Sequence, residues 1–427
     1  VALNKYIGVI KMELTTEQSE VVNQIENWFH GKSKYFSLQG PAGSGKTTIL
    51  KYVIDRLDCK VIATSTTNAS VNVLKGSLDS FNIPCVTTHR YLRLKVVRTA
   101  EGTSIETDEE KEPVVNFDLV IVDESSMVGR SLWEKIVEHP AETKWLFVGD
   151  PCQLSPVGVS LSPTFKVPDS AYLKTIHRQS EDGPIHLLVS KVRSSILDKK
   201  YEILQPVTEI KDCGSIITLK NKNEWFDNIS SWFDNPNDTR CRVLTYTNKS
   251  EYAINNTIRK MVMPPEAQQH DFLPDEIIYT KEPIMDGEKV LLNTGTKLKV
   301  VSCNKFDFNP TSLSIHLPDA NFKYNKLVCK GEYGERVELN VISVEDMSSY
   351  QAYFNNLKYS GAVNMLNNHF TDVSHRYATT VRRAQGWNLN RVAFSLPEIT
   401  KCRQKYDRLH NYYSALSRAS KLALILI

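Results

Sequence analysis

The chain has 427 residues, 41% hydrophobic and 24% charged, the make-up of a globular protein with room for two to four domains. A net charge of +3 neither requires nor excludes a nucleic-acid partner, so that question rests on where the basic side chains fall. Eight cysteines without a C-x-x-C pair, and histidines without metal-ligand spacing, argue against structural zinc and for a reducing compartment. No stretch reaches the ~20 apolar residues of a membrane span, and the N-terminus lacks the charged-then-apolar order of a secretory signal. A cytoplasmic protein, in a bacterium or a phage-infected host, is expected, with no membrane partner. Residues before Met12 stay outside the fold reading.

In chain order, Thr15 to Gln18 reads as a capping box opening the first helix. A strand at 35–38 runs into "GPAGSGKTT" and a helix at 47–57, whose apolar positions are Ile49, Leu50, Val53, Ile54 and Leu57. The spacing from Gly40 through Gly43, Ser44 and Gly45 to Lys46, Thr47 and Thr48 fits the phosphate-cradling loop. Glycines let backbone N–H groups turn toward one point, and the helix aims its positive end there. Further strands at 61–63, 119–122 and 145–148 alternate with helical runs, the signature of a parallel sheet wound with helices. The pattern repeats with strands at 243–247, 392–396 and 422–427 and helices near 185–196, 249–261 and 406–418, so two similar α/β units are expected.

Two segments break this rhythm. Residues 96–115 carry six acidic and two basic side chains around one glycine, and read as a solvated hairpin or loop. Residues 271–374 alternate apolar runs at 290–292, 298–301, 313–316, 327–329 and 337–344 with turn residues, and read as a small β-rich insertion ending in a helical stretch.

Carboxylates at a buried strand end are costly unless something pairs with them. Asp123 and Glu124 stand there, after the apolar run "FDLVIV". Magnesium is the natural partner: Asp123 would hold the ion through its water shell, Thr47 would donate a hydroxyl, and Glu124 would polarise an attacking water. On the next strand Gly149 and Asp150 precede Gln153, whose amide could bond a γ-phosphate or its water. A phosphoryl transition state gains from arginines delivered as a cleft closes. Arg178 in "LKTIHRQS" and Arg418 in "YYSALSRAS" are the candidates.

The ordered blocks "LTTEQ", "GPAGSGKTT", "STTNASVNVL", "TTHRYL", "VDESSM", "GDPCQLSPV", "IHRQ", "LTYTNKS", "TTVRRAQG" and "YYSALSRAS" resemble a superfamily 1 helicase, subgroup B, of the RecD and Dda branch. The resemblance implies an α/β fold of two tandem RecA-like P-loop motor domains. The first would span 12–173, with a pin insertion at about 93–116; the second would join 174–270 to 375–427. A β-rich, SH3-like insertion with a helical tail would fill 271–374. It further implies that Gln18 contacts adenine, although the capping box competes for the same side chain. Lys46 would hold the β- and γ-phosphates, Thr47, Asp123 and Glu124 would organise Mg²⁺ and water, and Gln153, Arg178, Gln385 with Gly386, and Arg418 would close on the γ-phosphate region. Thr67, Asn68, Thr87, His89 and Arg90 on the first motor, and Thr380 and Arg382 on the second, would grip the phosphates of a single strand. Ordinary cap and turn duty is the rival reading of those residues.

The chain departs from the family where relatives read A-P-T and it has Ser65, Thr66 and Thr67, and where they read H-K and it has Arg382 and Arg383. The 96–115 insert has no aromatic residue, whereas relatives tend to present an apolar or aromatic one. The expected activity is an ATP-dependent DNA helicase, a monomer moving 5′-to-3′ on single-stranded DNA and unwinding the duplex at a fork. Single-strand-binding, replication or recombination proteins are candidate partners. An RNA helicase of the same superfamily and a nucleotide-gated DNA clamp without unwinding remain alternatives, since residue types alone do not reveal a 2′-hydroxyl contact.

Overall fold

A computed structural model describes residues 13–99, 102–107, 117–139, 142–156, 159–176, 183–234, 240–286, 289–292, 294–331, 334–357 and 360–427. The chain divides into two compact units. Unit one holds residues up to 95, 105–220 and 381–427; unit two holds 96–104 and 221–380.

Unit one is built on a six-stranded, all-parallel sheet in the order Cys85–Thr87, Val61–Ser65, Leu119–Asp123, Lys144–Gly149, Tyr35–Gln39, Asp169–Tyr172. Its central strands are buried along nearly their whole length because both faces are covered. In Leu119–Asp123, Leu119 and Ile121 pack with the helices Thr16–His30 and Lys46–Arg56, whereas Val120 and Val122 pack with Leu132 and Ile136 of Arg130–Glu138. The expected strands at 35–38, 61–63, 119–122 and 145–148 and the helix at 47–57 are all present, shifted by one or two residues at their ends. The short edge strands Cys85–Thr87 and Asp169–Tyr172 carry no comparable apolar run and were not expected.

In the remainder of unit one, Leu389–Ser395, Ala419–Leu426 and Gly214–Leu219 pair in parallel, and Glu209–Lys211 adds antiparallel to Gly214–Leu219. The helices Pro184–Leu197 and Lys405–Leu416 pack together there. Leu409 through Leu416 are buried without interruption, so this helix is covered on all sides.

Unit two pairs Cys241–Thr245 in parallel with Ala378–Thr380, beside the helices Lys222–Ser230 and Asn248–Val262. Its larger element is a five-stranded antiparallel sheet in the order Arg336–Ile342, Phe322–Lys330, Lys297–Phe308, Ile277–Thr280, Val373–His375. The strand expected at 313–316 is absent. Asn309 caps a 3₁₀ turn at Pro310–Ser312, and Ile315, 87% exposed, has no face to bury. The pair Leu94–Thr99 and Gly102–Thr107 forms a two-stranded sheet; the acidic stretch 108–116 lies outside the described residues.

Candidate nucleotide and nucleic-acid site

The strand Tyr35–Gln39 delivers the chain into the glycine loop, and the helix Lys46–Arg56 leaves it. Gly45, at φ 88°, is the helix N-cap; a Cβ there would run into the Gln18 amide. Only glycine meets both demands. Gln18 closes the capping box: its Oε1 accepts the Thr15 N–H at 3.1 Å while Thr15 Oγ1 accepts the Gln18 N–H at 3.3 Å. Its Nε2 donates to the Ser44 carbonyl at 3.4 Å, so the first helix is tied to the loop itself.

Lys46 turns its ammonium back on the loop, donating to the Gly40 and Pro41 carbonyls at 2.8 and 2.7 Å. Burial holds its pKa below the ordinary lysine value, against the pull of Asp150, Glu124 and Asp123. Thr47, the next residue of the helix, is exposed, and Thr48 half-buried. Ser44 is fully buried and donates to Pro41 O at 2.9 Å, which shapes the turn.

Asp123 ends its strand with Oδ1 accepting the Glu124 N–H at 2.9 Å. Burial, reinforced by the neighbouring Glu124 carboxylate, pushes Asp123 up to about 7. Glu124 is left-handed at φ 50°, an unusual backbone for a side chain of this size and a mark of a functional turn. Gly386, at φ 80°, lies against this turn: a Cβ on it would stand 3.1 Å from Ser70 Oγ and 3.5 Å from Glu124 Oε1. The fold thus brings residue 386 to residue 124.

Residues 150–155 complete the surroundings. Gln153 and Gln385 are 4% and 5% exposed, and each has a buried Oε1 with no partner. Gln385 Nε2 donates to Leu154 O at 3.4 Å. Arg418 is 4% exposed; its Nη1 donates to Trp387 O at 3.3 Å and its Nη2 to Ser417 Oγ at 3.1 Å, while its Nε–H is buried without an acceptor. Buried polar atoms left in this state are costly. Arg178 lies outside the described residues.

The expected strand-gripping residues divide. The Thr67 hydroxyl accepts the Ser70 N–H at 3.2 Å and caps Asn68–Leu78, and the Thr87 hydroxyl accepts the Arg90 N–H at 3.1 Å and caps Thr88–Tyr91. Both do cap duty. Arg90 is exposed and Asn68 half-buried. His89 is half-buried, and burial lowers its pKa. Thr67 and His89 line a cavity of about 320 Å³ with Met127, Gly129, Leu132 and Pro156. Arg382 donates to Ser155 O at 3.0 Å, so its guanidinium is anchored beside residues 150–155. Thr380 is buried at a strand end in unit two.

A family model described as an AAA domain matches residues 13–210. The ATP-dependent DNA helicase dda of Enterobacteria phage T4 is 24% identical over 307 residues, 68% of this chain and 67% of its own length. The uncharacterized protein MJ1519 of Methanocaldococcus jannaschii is 27% identical over 241 residues, 52% of this chain but 18% of its own. Among solved structures, the Pif1 helicases of a study of unwinding at forked dsDNA share the fold with a TM-score of 0.53 at 15% identity, covering 97% of this chain and 92% of theirs. A Bacteroides Pif1 helicase in complex with ADP-AlF3 and ssDNA gives 0.52 at the same identity and coverage. The chain is thus similar in sequence to the Dda helicase and shares its fold with the Pif1 helicases.

Sequence reasoning missed a part of the site next to these residues. Arg193, 6% exposed, meets Asp150, 0% exposed, at 2.6 Å, and both meet the Tyr413 hydroxyl. One signal was available: Arg193 falls on the apolar stripe of Leu188, Val189, Val192 and Ile196, where a charge needs a partner.

Proposed function

We propose that the chain is an ATP-driven translocase on single-stranded DNA that unwinds duplex ahead of it, moving 5′-to-3′. The observation that carries this reading is that Lys46 feels the carboxylates of Asp123 and Glu124 in unit one, where Gly386 lies against Glu124 and the amide oxygens of Gln153 and Gln385 are buried without a partner. Such a set suits a triphosphate: N–H groups and Lys46 for the phosphates, a carboxylate for water, and donors for the equatorial oxygens.

The donor chemistry fits magnesium. Among the described residues no cluster of three or more His, Cys, Asp or Glu could hold a metal alone, and magnesium is ordinarily held by one or two protein oxygens completed by phosphates and water. Asp123, and Thr47 through its hydroxyl, would hold it; bound there, it would neutralise phosphate charge. A carboxylate kept near neutral by burial and by Glu124 is one that a cation would ionise. Glu124 would orient and deprotonate the attacking water, Arg418 and Arg178 would meet the developing charge, and Gln153 and Gln385 would bond the γ-phosphate.

The grip on the strand would come from Thr67, Asn68, Thr87, His89, Arg90 and Arg382 in unit one and from Thr380 in unit two. Contacts of this kind hold any sequence, so a near-neutral chain is adequate. Among the described residues no helix is long and apolar enough to cross a membrane.

Strand displacement with 5′-tailed, 3′-tailed and RNA-tailed duplexes, run on the wild type and Lys46→Ala, tests the proposal. We expect ATP-dependent unwinding of the 5′-tailed DNA alone, and none by the variant. Unwinding from RNA tails only would favour the RNA helicase, and tight DNA binding with no unwinding would favour the clamp.

A further inference from the structure

The buried ionic network behind the nucleotide loop has no part in the roles assigned so far. Arg193 is surrounded on three sides. Its Nη1 donates to Asp150 Oδ1 at 2.6 Å and to the Tyr413 hydroxyl at 2.8 Å; its Nε and Nη2 donate to the Tyr172 hydroxyl at 3.1 and 2.5 Å. Both tyrosine rings lie 5.6 Å from the guanidinium carbon, so the cation is also held against two aromatic faces. Tyr413 donates to Asp150 Oδ2 at 2.6 Å, and Asp150 Oδ1 also accepts the Cys152 N–H at 3.0 Å. Each carboxylate oxygen of Asp150 therefore has a donor.

This network seats one short segment. Residues 150–155 follow the strand Lys144–Gly149, and four polar backbone groups along 153–155 are held by residues between 382 and 414. His410 Nδ1 donates to Gln153 O at 2.9 Å, Ser414 Oγ accepts the Leu154 N–H at 3.1 Å, Gln385 Nε2 donates to Leu154 O, and Arg382 donates to Ser155 O. Because a carbonyl accepts from His410 Nδ1, that nitrogen carries the proton, and burial keeps the ring neutral. The side chain that this seat presents is Gln153, whose Oε1 has no protein partner.

A buried ion pair is a poor way to gain stability, because packed apolar side chains of similar volume do as well. A planar fork with three fixed partners does something apolar side chains do not: it sets orientation. We infer that Arg193 is a positioning residue for ATP turnover, its guanidinium fixing Asp150 and thereby the place from which residues 150–155 present Gln153. The inference rests on the nucleotide reading of the loop at 40–47. It makes the segment's position depend on the helix Lys405–Leu416 through Tyr413, so displacement of that helix moves Gln153.

The test is steady-state ATP turnover by the full chain with oligothymidylate present, alongside binding of a fluorescent ATP analogue and thermal melting. Arg193→Lys keeps the charge and loses the fork; we expect kcat to fall about tenfold with KM within about twofold of wild type. Tyr413→Phe removes one hydroxyl, and kcat should fall about threefold with analogue affinity retained. In a Gln153→Ala background, Arg193→Lys should cost nothing more, since its effect passes through Gln153. Folded variants that turn over within about twofold of wild type, or an Arg193→Lys loss undiminished in the Gln153→Ala background, would overturn the inference. Should Arg193→Lys fail to fold, Tyr413→Phe decides by the same criterion. A wild type with no ATP turnover would defeat the nucleotide reading instead.

Discussion

Lys46 rests on two carbonyls of its own loop, so a triphosphate must compete with Gly40 O and Pro41 O for the ammonium. The same preparedness marks Arg418, whose Nε–H is buried without an acceptor while its other nitrogens are anchored on Trp387 O and Ser417 Oγ. An arginine so fixed would lose little freedom if charge developed opposite it, and under the proposed function its contribution would belong to the transition state. Arg418→Ala is accordingly expected to lower kcat on the order of a thousandfold while ATP affinity changes far less. Turnover kinetics with equilibrium binding of a non-hydrolysable analogue check this, and loss of affinity with kcat preserved would make Arg418 a binding residue. At this scale the loop glycines, Lys46 and the Asp123–Glu124 pair were legible because their spacing is local and they fall at the ends of apolar strands. Arg193 was not, because its partners stand 43 and 220 residues away and nothing in the intervening sequence links them.

Among elements, the antiparallel sheet of unit two is tied to the helix Asn248–Val262 by Ser374, which bonds Glu251 and Asn255, and by a buried ion pair. Arg259 donates to Glu276 through Nε and Nη2 and to the Ala267 and His270 carbonyls through Nη1. Burial alone would raise the Glu276 pKa, but bonds from His375 and Arg259 bring it below the ordinary value. A carboxylate whose folded pKa is lowered stabilises fully above its unfolded value, here 4.5, and that stability fades as pH falls through the folded one. Arg259→Met leaves the buried Glu276 carboxylate without its arginine, with His375 still beside it, and should destabilise unit two by about 3 kcal/mol. Denaturant melts followed between pH 7 and 3 check both the loss and its disappearance in acid. The hairpin of Leu94–Thr99 and Gly102–Thr107 is a different case, an element expected from the sequence to separate strands. Its replacement by a short Gly-Ser turn is expected to spare translocation and DNA-stimulated ATP turnover and to reduce unwinding severalfold. Equal unwinding in a displacement assay would remove that role. The strand wrongly expected at 313–316 shows why alternation misleads here: Asn309 and Pro310 wind the preceding residues into a 3₁₀ turn, and the apolar Ile315 is left in solvent.

In the whole molecule, unit one joins residues far apart in the chain, with 381–427 in the same compact unit as the phosphate loop. Gln385, Arg382, His410 and Ser414 all bond to residues 153–155, so nucleotide binding at the loop should be felt in the last fifty residues. Hydrogen exchange checks this. A non-hydrolysable ATP analogue with magnesium should slow exchange in 385–389 and 415–419 as well as in 40–48, whereas protection confined to 40–48 would uncouple the two.

From the sequence alone came the α/β class, the apolar runs of the central strands, the phosphate loop and the ordered motifs of the helicase resemblance. These follow from short-range chemistry: a φ that only glycine tolerates, a period of side chains, a spacing of donors. Tertiary structure alone decided that Thr67 and Thr87 cap helices, that Gln18 ties the first helix to the loop, and that Gly386 lies against Glu124. It alone closed Arg193, Asp150 and Tyr413 into one network. Burial and long-range pairing are properties of the folded chain, and a side chain's partner across 220 residues is chosen by packing, which no local pattern encodes.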